Sequence, residues 1–95
     1  MLELLQSPQL NKVCQENNIE YLGLFGSYAR GDNTEQSDID LLVRFAQPIG
    51  YFKLISVEHA FEDLLGVDVD LVTENALSKY IKPNVYKDIK VLYGS

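Results

Sequence analysis

Aspartate is disfavoured inside β-strands. This chain nevertheless places it at alternate positions in two apolar stretches, Asp38-Ile39-Asp40-Leu41-Leu42-Val43 and Val67-Asp68-Val69-Asp70-Leu71-Val72. Two residues apart on a strand, both side chains face the same way, with Cα atoms about 6.5–7 Å apart. If the two strands are neighbours, three or four carboxylates crowd one patch. Like charges that close repel, so some must protonate or recruit a cation. Magnesium favours carboxylate and phosphate oxygens, and two such ions roughly 3.5–4 Å apart clamp the attacking and leaving oxygens of an in-line phosphoryl displacement. An isolated Asp-x-Asp is more often the solvent face of a one-sided sheet, so these pairs alone do not decide the chemistry.

The residues upstream change the balance. Leu24-Phe25-Gly26-Ser27 runs a buried apolar stretch into a turn of small residues. Gly26 lets a phosphate approach the backbone closely, and Ser27 offers a hydroxyl and an N–H. Arg30, one turn further on, is placed to reach a phosphate, although a lone arginine more often forms a surface ion pair. Cys14 is the single cysteine, so no intrachain disulfide can form. Lacking a basic neighbour, it reads as a small core residue. His59, beside Glu58 and Glu62, reads as a solvated rim position.

Positioning these side chains falls to alternating helices and strands. A helix is predicted from Pro8 to Glu16, capped by Ser7 and ended by Asn17-Asn18. A strand follows from Tyr21 to Phe25, then a helical turn over Tyr28-Ala29-Arg30 closed by Gly31, then a polar loop from Asp32 to Gln36. The second strand, Ile39 to Phe45, puts Ile39, Leu41, Val43 and Phe45 on one face and Asp38, Asp40, Leu42 and Arg44 on the other. Tyr51 to Leu65 has helical periodicity, with Phe52, Ile55, Phe61, Leu64 and Leu65 as the core stripe and Gly66 as its stop. Val67 to Val72 is a third strand, Thr73 to Lys82 a short helix stopped by Pro83, and Ile89 to Tyr93 a last strand or docked tail. The order implies an α/β fold, a small sheet flanked by helices. The first connection is too short for a helical crossover, so the sheet should be mixed.

With 95 residues, 46% hydrophobic and 23% charged, residues 1–95 are expected to form a single domain with one modest core. A net charge of −6, from 14 acidic and 8 basic residues, argues against a broad nucleic-acid surface and suits a basic protein partner. No apolar run approaches the ~20 residues that span a bilayer, so a cytoplasmic location without membrane attachment is expected.

Taken together, Gly26-Ser27, ten residues, then Asp38-Ile39-Asp40 resembles the signature of the DNA polymerase β-like nucleotidyltransferase superfamily. Gly26-Ser27-Tyr28-Ala29-Arg30-Gly31 and Ser37-Asp38-Ile39-Asp40-Leu41-Leu42-Val43 are similar to the minimal nucleotidyltransferases of prokaryotes. Val69-Asp70-Leu71-Val72-Thr73 resembles that family's third-carboxylate strand, which selects Asp70 over Asp68. The resemblance runs from about Tyr21 to Tyr93, loosely at its C-terminal end. It implies a polymerase β-like fold, with Gly26, Ser27 and Arg30 toward the nucleotide and Asp38, Asp40 and Asp70 as catalytic residues binding two Mg²⁺ ions. Asp68, without a motif counterpart, is left as a structural or rim charge.

Larger members carry further domains for the base or the acceptor. This chain shows none after the catalytic unit, so the acceptor is expected to come from elsewhere. The resemblance extends to the antitoxins of two-gene systems whose partner is a HEPN-type toxin encoded alongside. It implies transfer of AMP from ATP to a tyrosine of that toxin, within a hetero-oligomer and with no direct nucleic-acid role. Two alternatives stand beside this one: a nucleotidyltransferase using a small-molecule hydroxyl, and a non-catalytic antitoxin acting by binding and occlusion.

Overall fold

The computed structural model describes residues 2–94. A short helix, α1 (Leu2–Leu5), leads into α2 (Pro8–Glu16). Ser7 joins them: its Oγ accepts from the Leu10 N–H at 3.2 Å and donates to the Leu4 carbonyl at 2.7 Å. Pro8 occupies the first turn, where its missing N–H has no helical partner to lose. Asn17 closes α2, and Asn18, at φ +55°, turns the chain into the sheet.

Four strands follow: β1 (Ile19–Phe25), β2 (Ile39–Phe45), β3 (Val69–Thr73) and β4 (Lys90–Gly94), in spatial order β3-β2-β1-β4. The β1–β2 and β1–β4 pairings are antiparallel and β2–β3 is parallel, so the sheet is mixed as expected. Between the strands lie α3 (Gly26–Arg30), α4 (Tyr51–Leu65), a 3₁₀ turn at Glu74–Ala76 and α5 (Lys82–Asp88).

One sheet face, with Leu22, Leu24, Ile39, Leu41, Val43, Val69 and Leu71, packs with Leu10 and Cys14 of α2 and with Val57, Phe61 and Leu65 of α4. Cys14 is wholly buried there, and burial pushes its thiol up to about 12, so it is packing and not a nucleophile. The second face is covered thinly. Tyr21, Leu42 and Val85 form its core, with Phe25, Leu77 and Ile89 around them. Gly23 makes room for this layer, because a Cβ there would stand 2.7 Å from Ile89 Cδ1 and 2.9 Å from the Tyr21 hydroxyl.

Several expected details are corrected. Phe52 is 88% exposed, meeting Tyr51 edge-on at 6.1 Å between ring centroids. The buried stripe runs Val57, Phe61, Leu65, and five residues at about 100° each put Phe52 roughly 140° away from it. Pro83 starts a helix instead of stopping one: it lies in the first turn of α5, while the stretch between β3 and α5 holds the 3₁₀ turn at Glu74–Ala76, a bend at Leu77 and a turn over residues 79–81. β1 begins two residues earlier than expected, at Ile19, and β3 two residues later, at Val69. His59 is exposed, as expected of a rim position. Among the described residues no helix is long and apolar enough to cross a membrane.

Candidate active site

The site is assembled where β1 ends and β2 and β3 begin. Phe25, the last residue of β1, pairs with Asp40, and Asp40 pairs on its other side with Asp70 of the parallel neighbour β3. That register sets Asp40 and Asp70 side by side on the thinly covered face, the face Asp40 shares with Leu42. Asp38 lies just before β2 and Asp68 just before β3, whose first pairing is fixed by the Ile39 N–H donating to the Asp68 carbonyl at 3.0 Å. Asp38 and Asp70 are exposed, and Asp40 is half-buried.

The electrostatics tie three of the four carboxylates together. Burial raises the Asp40 carboxyl above its usual range, the charges of Asp70 and then Asp38 raise it further, and Arg30 opposes them. Asp68 is absent from that balance. Among the described residues the Asp38, Asp40 and Asp70 side chains make no hydrogen bond or ion pair. The cluster is therefore charged, crowded and unpartnered within the chain.

Gly26 closes the site from the other side. Its φ of +75° is left-handed, and a Cβ there would fall on the Asp40 carboxylate. Only glycine allows the turn and the carboxylate to share that space. Ser27, half-buried, follows in α3. Its carbonyl accepts from the Gly31 and Asp32 N–H groups at 2.9 and 3.1 Å, and its hydroxyl has no partner among the described residues. Arg30 is placed as a surface ion-pair residue: Nε is 3.2 Å from Asp32 and Nη1 is 3.9 Å from Asp88, while its charge still reaches Asp40.

Glu58 and Glu62, the neighbours of His59 on α4, hold the third strand. β3 is an edge, and its outward N–H groups at Val69 and Leu71 donate to Glu62 Oε2 and Glu58 Oε2 of α4, both at 3.0 Å. These bonds flank Asp70 and pin the strand that carries it. The i, i+4 spacing of the two glutamates was the available signal, since it puts both on one helix face.

Among the described residues no three acidic, histidine or cysteine side chains converge tightly enough to hold a metal ion unaided. Three unpartnered carboxylates in one another's field, open to solvent, still match magnesium's habit of sharing its shell with waters and substrate phosphates. A cleft of about 380 Å³ opens at the opposite ends of β2 and β3, between Val43–Ile49 and Thr73–Asn75. None of the candidate residues lines it, and the crowded carboxylates mark the chemistry better than this cleft does.

The nucleotidyltransferase domain family matches residues 8–92. The chain belongs to that family. It is 40% identical over 80 residues to MJ1217 of Methanocaldococcus jannaschii, a candidate protein adenylyltransferase, with 82% of each chain covered. It is 33% identical to the protein adenylyltransferase MntA of Thermococcus cleftensis over 93% of this chain and 89% of that one. Among solved structures, a toxin–antitoxin with AMP-PNP superposes with a TM-score of 0.79 at 28% identity, covering 92% of this chain and 72% of that one. A chain from the complex of tri-AMPylated Shewanella oneidensis HEPN toxin with MNT antitoxin gives 0.75 at 26%, covering 100% of this chain and 74% of that one. The nucleotidyltransferase fold expected from the motifs is the fold observed, and the resemblance to minimal nucleotidyltransferases holds.

Proposed function

We propose that this nucleotidyltransferase is an antitoxin that transfers AMP from ATP to a tyrosine of a HEPN-type toxin. The observation that carries the reading is the Asp40–Asp70 pairing beside Gly26, which gathers unpartnered carboxylates where the missing glycine side chain leaves room for the Asp40 carboxylate. The choice of nucleotide and partner rests on the AMP-PNP-bound and AMPylated-toxin complexes to which the chain is similar.

In this reading Asp38, Asp40 and Asp70 would hold two Mg²⁺ ions, which would supply positive charge against the triphosphate and lower the pKa, ordinarily near 10, of a phenolic acceptor. Ser27 donates its free hydroxyl to a terminal phosphate oxygen, and the Gly26 and Ser27 backbone lies against the same group. Gly26 also keeps the Asp40 carboxylate from being displaced. Asp70, exposed at the rim, faces the acceptor and orients the attacking hydroxyl. Arg30 is released from Asp32 or Asp88 to meet phosphate. Glu58 and Glu62 keep β3 in register, so Asp70 stays level with Asp40. The partner supplies the geometry that brings its hydroxyl in line with the α-phosphate, so the bond from that oxygen to the α-phosphorus forms as the bond to the β-phosphate oxygen breaks; pyrophosphate leaves and the phenolic proton passes to solvent.

The test is to incubate the chain with ATP, Mg²⁺ and the HEPN-type protein encoded beside it, then weigh both proteins intact. The partner should gain whole adenylyl units, located on tyrosine by fragmentation. Asp70→Asn should slow the gain strongly and Asp68→Asn only slightly. A partner that is silenced with its mass unchanged would establish occlusion instead.

A further inference from the structure

The net charge of −6 is not spread evenly. Residues 77–95 carry Lys79, Lys82, Lys87 and Lys90 against Asp88 alone, a net +3, which leaves −9 on residues 1–76. None of these four lysines is in an ion pair among the described residues; Lys79 Nζ instead stands 5.3 Å from the Tyr80 ring centroid. The same segment exposes large side chains that a solvated surface has no need of: Tyr80 is 80% exposed, Ile81 51% and Tyr86 40%.

Its place in the fold gives this meaning. Leu77, Val85 and Ile89 pack on Leu42, Tyr21 and Phe25, so the segment lies across the face that carries Asp40. Its far end adjoins the site directly, through Asp88 against Arg30 at 3.9 Å and through Lys90, which pairs with Leu24 one residue short of Phe25. We propose that the segment from Leu77 to Lys90, with its lysines and exposed tyrosines, is the docking surface for an acidic face of the protein that receives the nucleotide. This rests on the transfer reading above and adds where the acceptor sits and what charge it presents.

Aromatic side chains with an apolar neighbour and a polar rim have the make-up of protein-interface cores. Unpaired lysines beside them steer an acidic partner toward the carboxylates, which would otherwise repel it. The lysines are spread from a turn through α5 to the start of β4, more than one triphosphate needs. An RNA backbone, charged along its whole length, would meet the −9 on the rest of the chain as well, whereas a protein can confine its acidic face to the lysines, so RNA fits less well.

The test compares the wild-type chain, Lys79→Glu/Lys82→Glu/Lys87→Glu, and a control, Lys12→Glu/Lys53→Glu, which reverses charges on α2 and α4. Three affinities are measured for each: for the HEPN-type protein, for Mg²⁺-ATP, and for a short single-stranded RNA. The triple variant should bind the HEPN-type protein about tenfold or more weakly, and the control near wild type. Both should keep the melting temperature and the Mg²⁺-ATP affinity. Tyr80→Ala/Ile81→Ala, which changes no charge, should also weaken protein binding. Equal protein affinity across all variants, or no protein binding at all, overturns the proposal. So does a matching loss of Mg²⁺-ATP affinity, which would make the lysines nucleotide ligands, or tighter binding to RNA than to protein. Lysine-dependent binding of a partner that gains no adenylyl group would keep the docking surface and refute the transfer reading.

Discussion

Replacing Gly26 by alanine separates two demands made on one residue, and Gly31 provides the control. Both lie at left-handed φ, +75° and +83°, but a Cβ at Gly31 meets nothing within 4 Å whereas one at Gly26 falls on the Asp40 carboxylate. The left-handed conformation costs an L-residue about 1–2 kcal/mol. Each kcal/mol lowers the melting temperature of a domain this size by about 4–8 °C. Gly31→Ala should lose that much stability and, assayed well below its melting temperature, keep its transfer rate. Gly26→Ala should lose more, because the carboxylate must leave its rotamer for about another 0.5–1.5 kcal/mol. A misplacement of about 1 Å at a reacting centre costs on the order of a hundredfold in rate. Denaturant unfolding gives the stabilities, and a partner-mass time course gives the rates. If Gly26→Ala transfers as fast as Gly31→Ala, the turn does not seat Asp40 and the Asp40 carboxylate is not at the reacting centre.

Other outcomes follow from the same geometry. The Asp40 carboxyl is raised by burial and by Asp70 and Asp38, so the folded state holds that proton more tightly than the unfolded chain does. Stability is therefore lost as pH climbs from the unfolded value near 3.9 through the raised folded one. In EDTA at neutral pH, Asp40→Asn should melt above wild type, with the gain disappearing as the pH falls toward about 4; a lower melting point at neutral pH would contradict the crowding. Phe61 is fully buried and Phe52 88% exposed. In urea, Phe61→Ala should cost about 3–5 kcal/mol and Phe52→Ala no more than about 0.5 kcal/mol.

The parts of the fold legible in the sequence were those written in local pattern. Ser7-Pro8 announces α2 through a cap and a proline that need no tertiary context, and the alternation Ile39–Phe45 fixes which face Asp40 takes. Gly26 was read from its backbone freedom, but its contact with Asp40 depends on a pairing between strands, which no local pattern contains. Pro83 was misread because a proline stops one helix and starts another equally well, and only the packing of Val85 on Leu42 decides between them. Helical spacing over Tyr51 to Leu65 admits more than one apolar stripe, and the one that packs, Val57, Phe61 and Leu65, turns Phe52 outward. Glu58 and Glu62 look like solvated charges until β3 proves to be an edge strand whose N–H groups they accept.

Whether Asp38 and Asp40 support nucleotidyl transfer from ATP is decided by the fate of the α-phosphate. The chain is mixed with the HEPN-type protein and ATP labelled on either the α- or the γ-phosphate, with Mg²⁺ or with EDTA. The α-label should move to the partner only with Mg²⁺, the γ-label should never do so, and Asp38→Asn/Asp40→Asn should move neither. Transfer of the γ-label would make the chemistry that of a kinase, and α-label transfer by the double variant would place it away from these carboxylates.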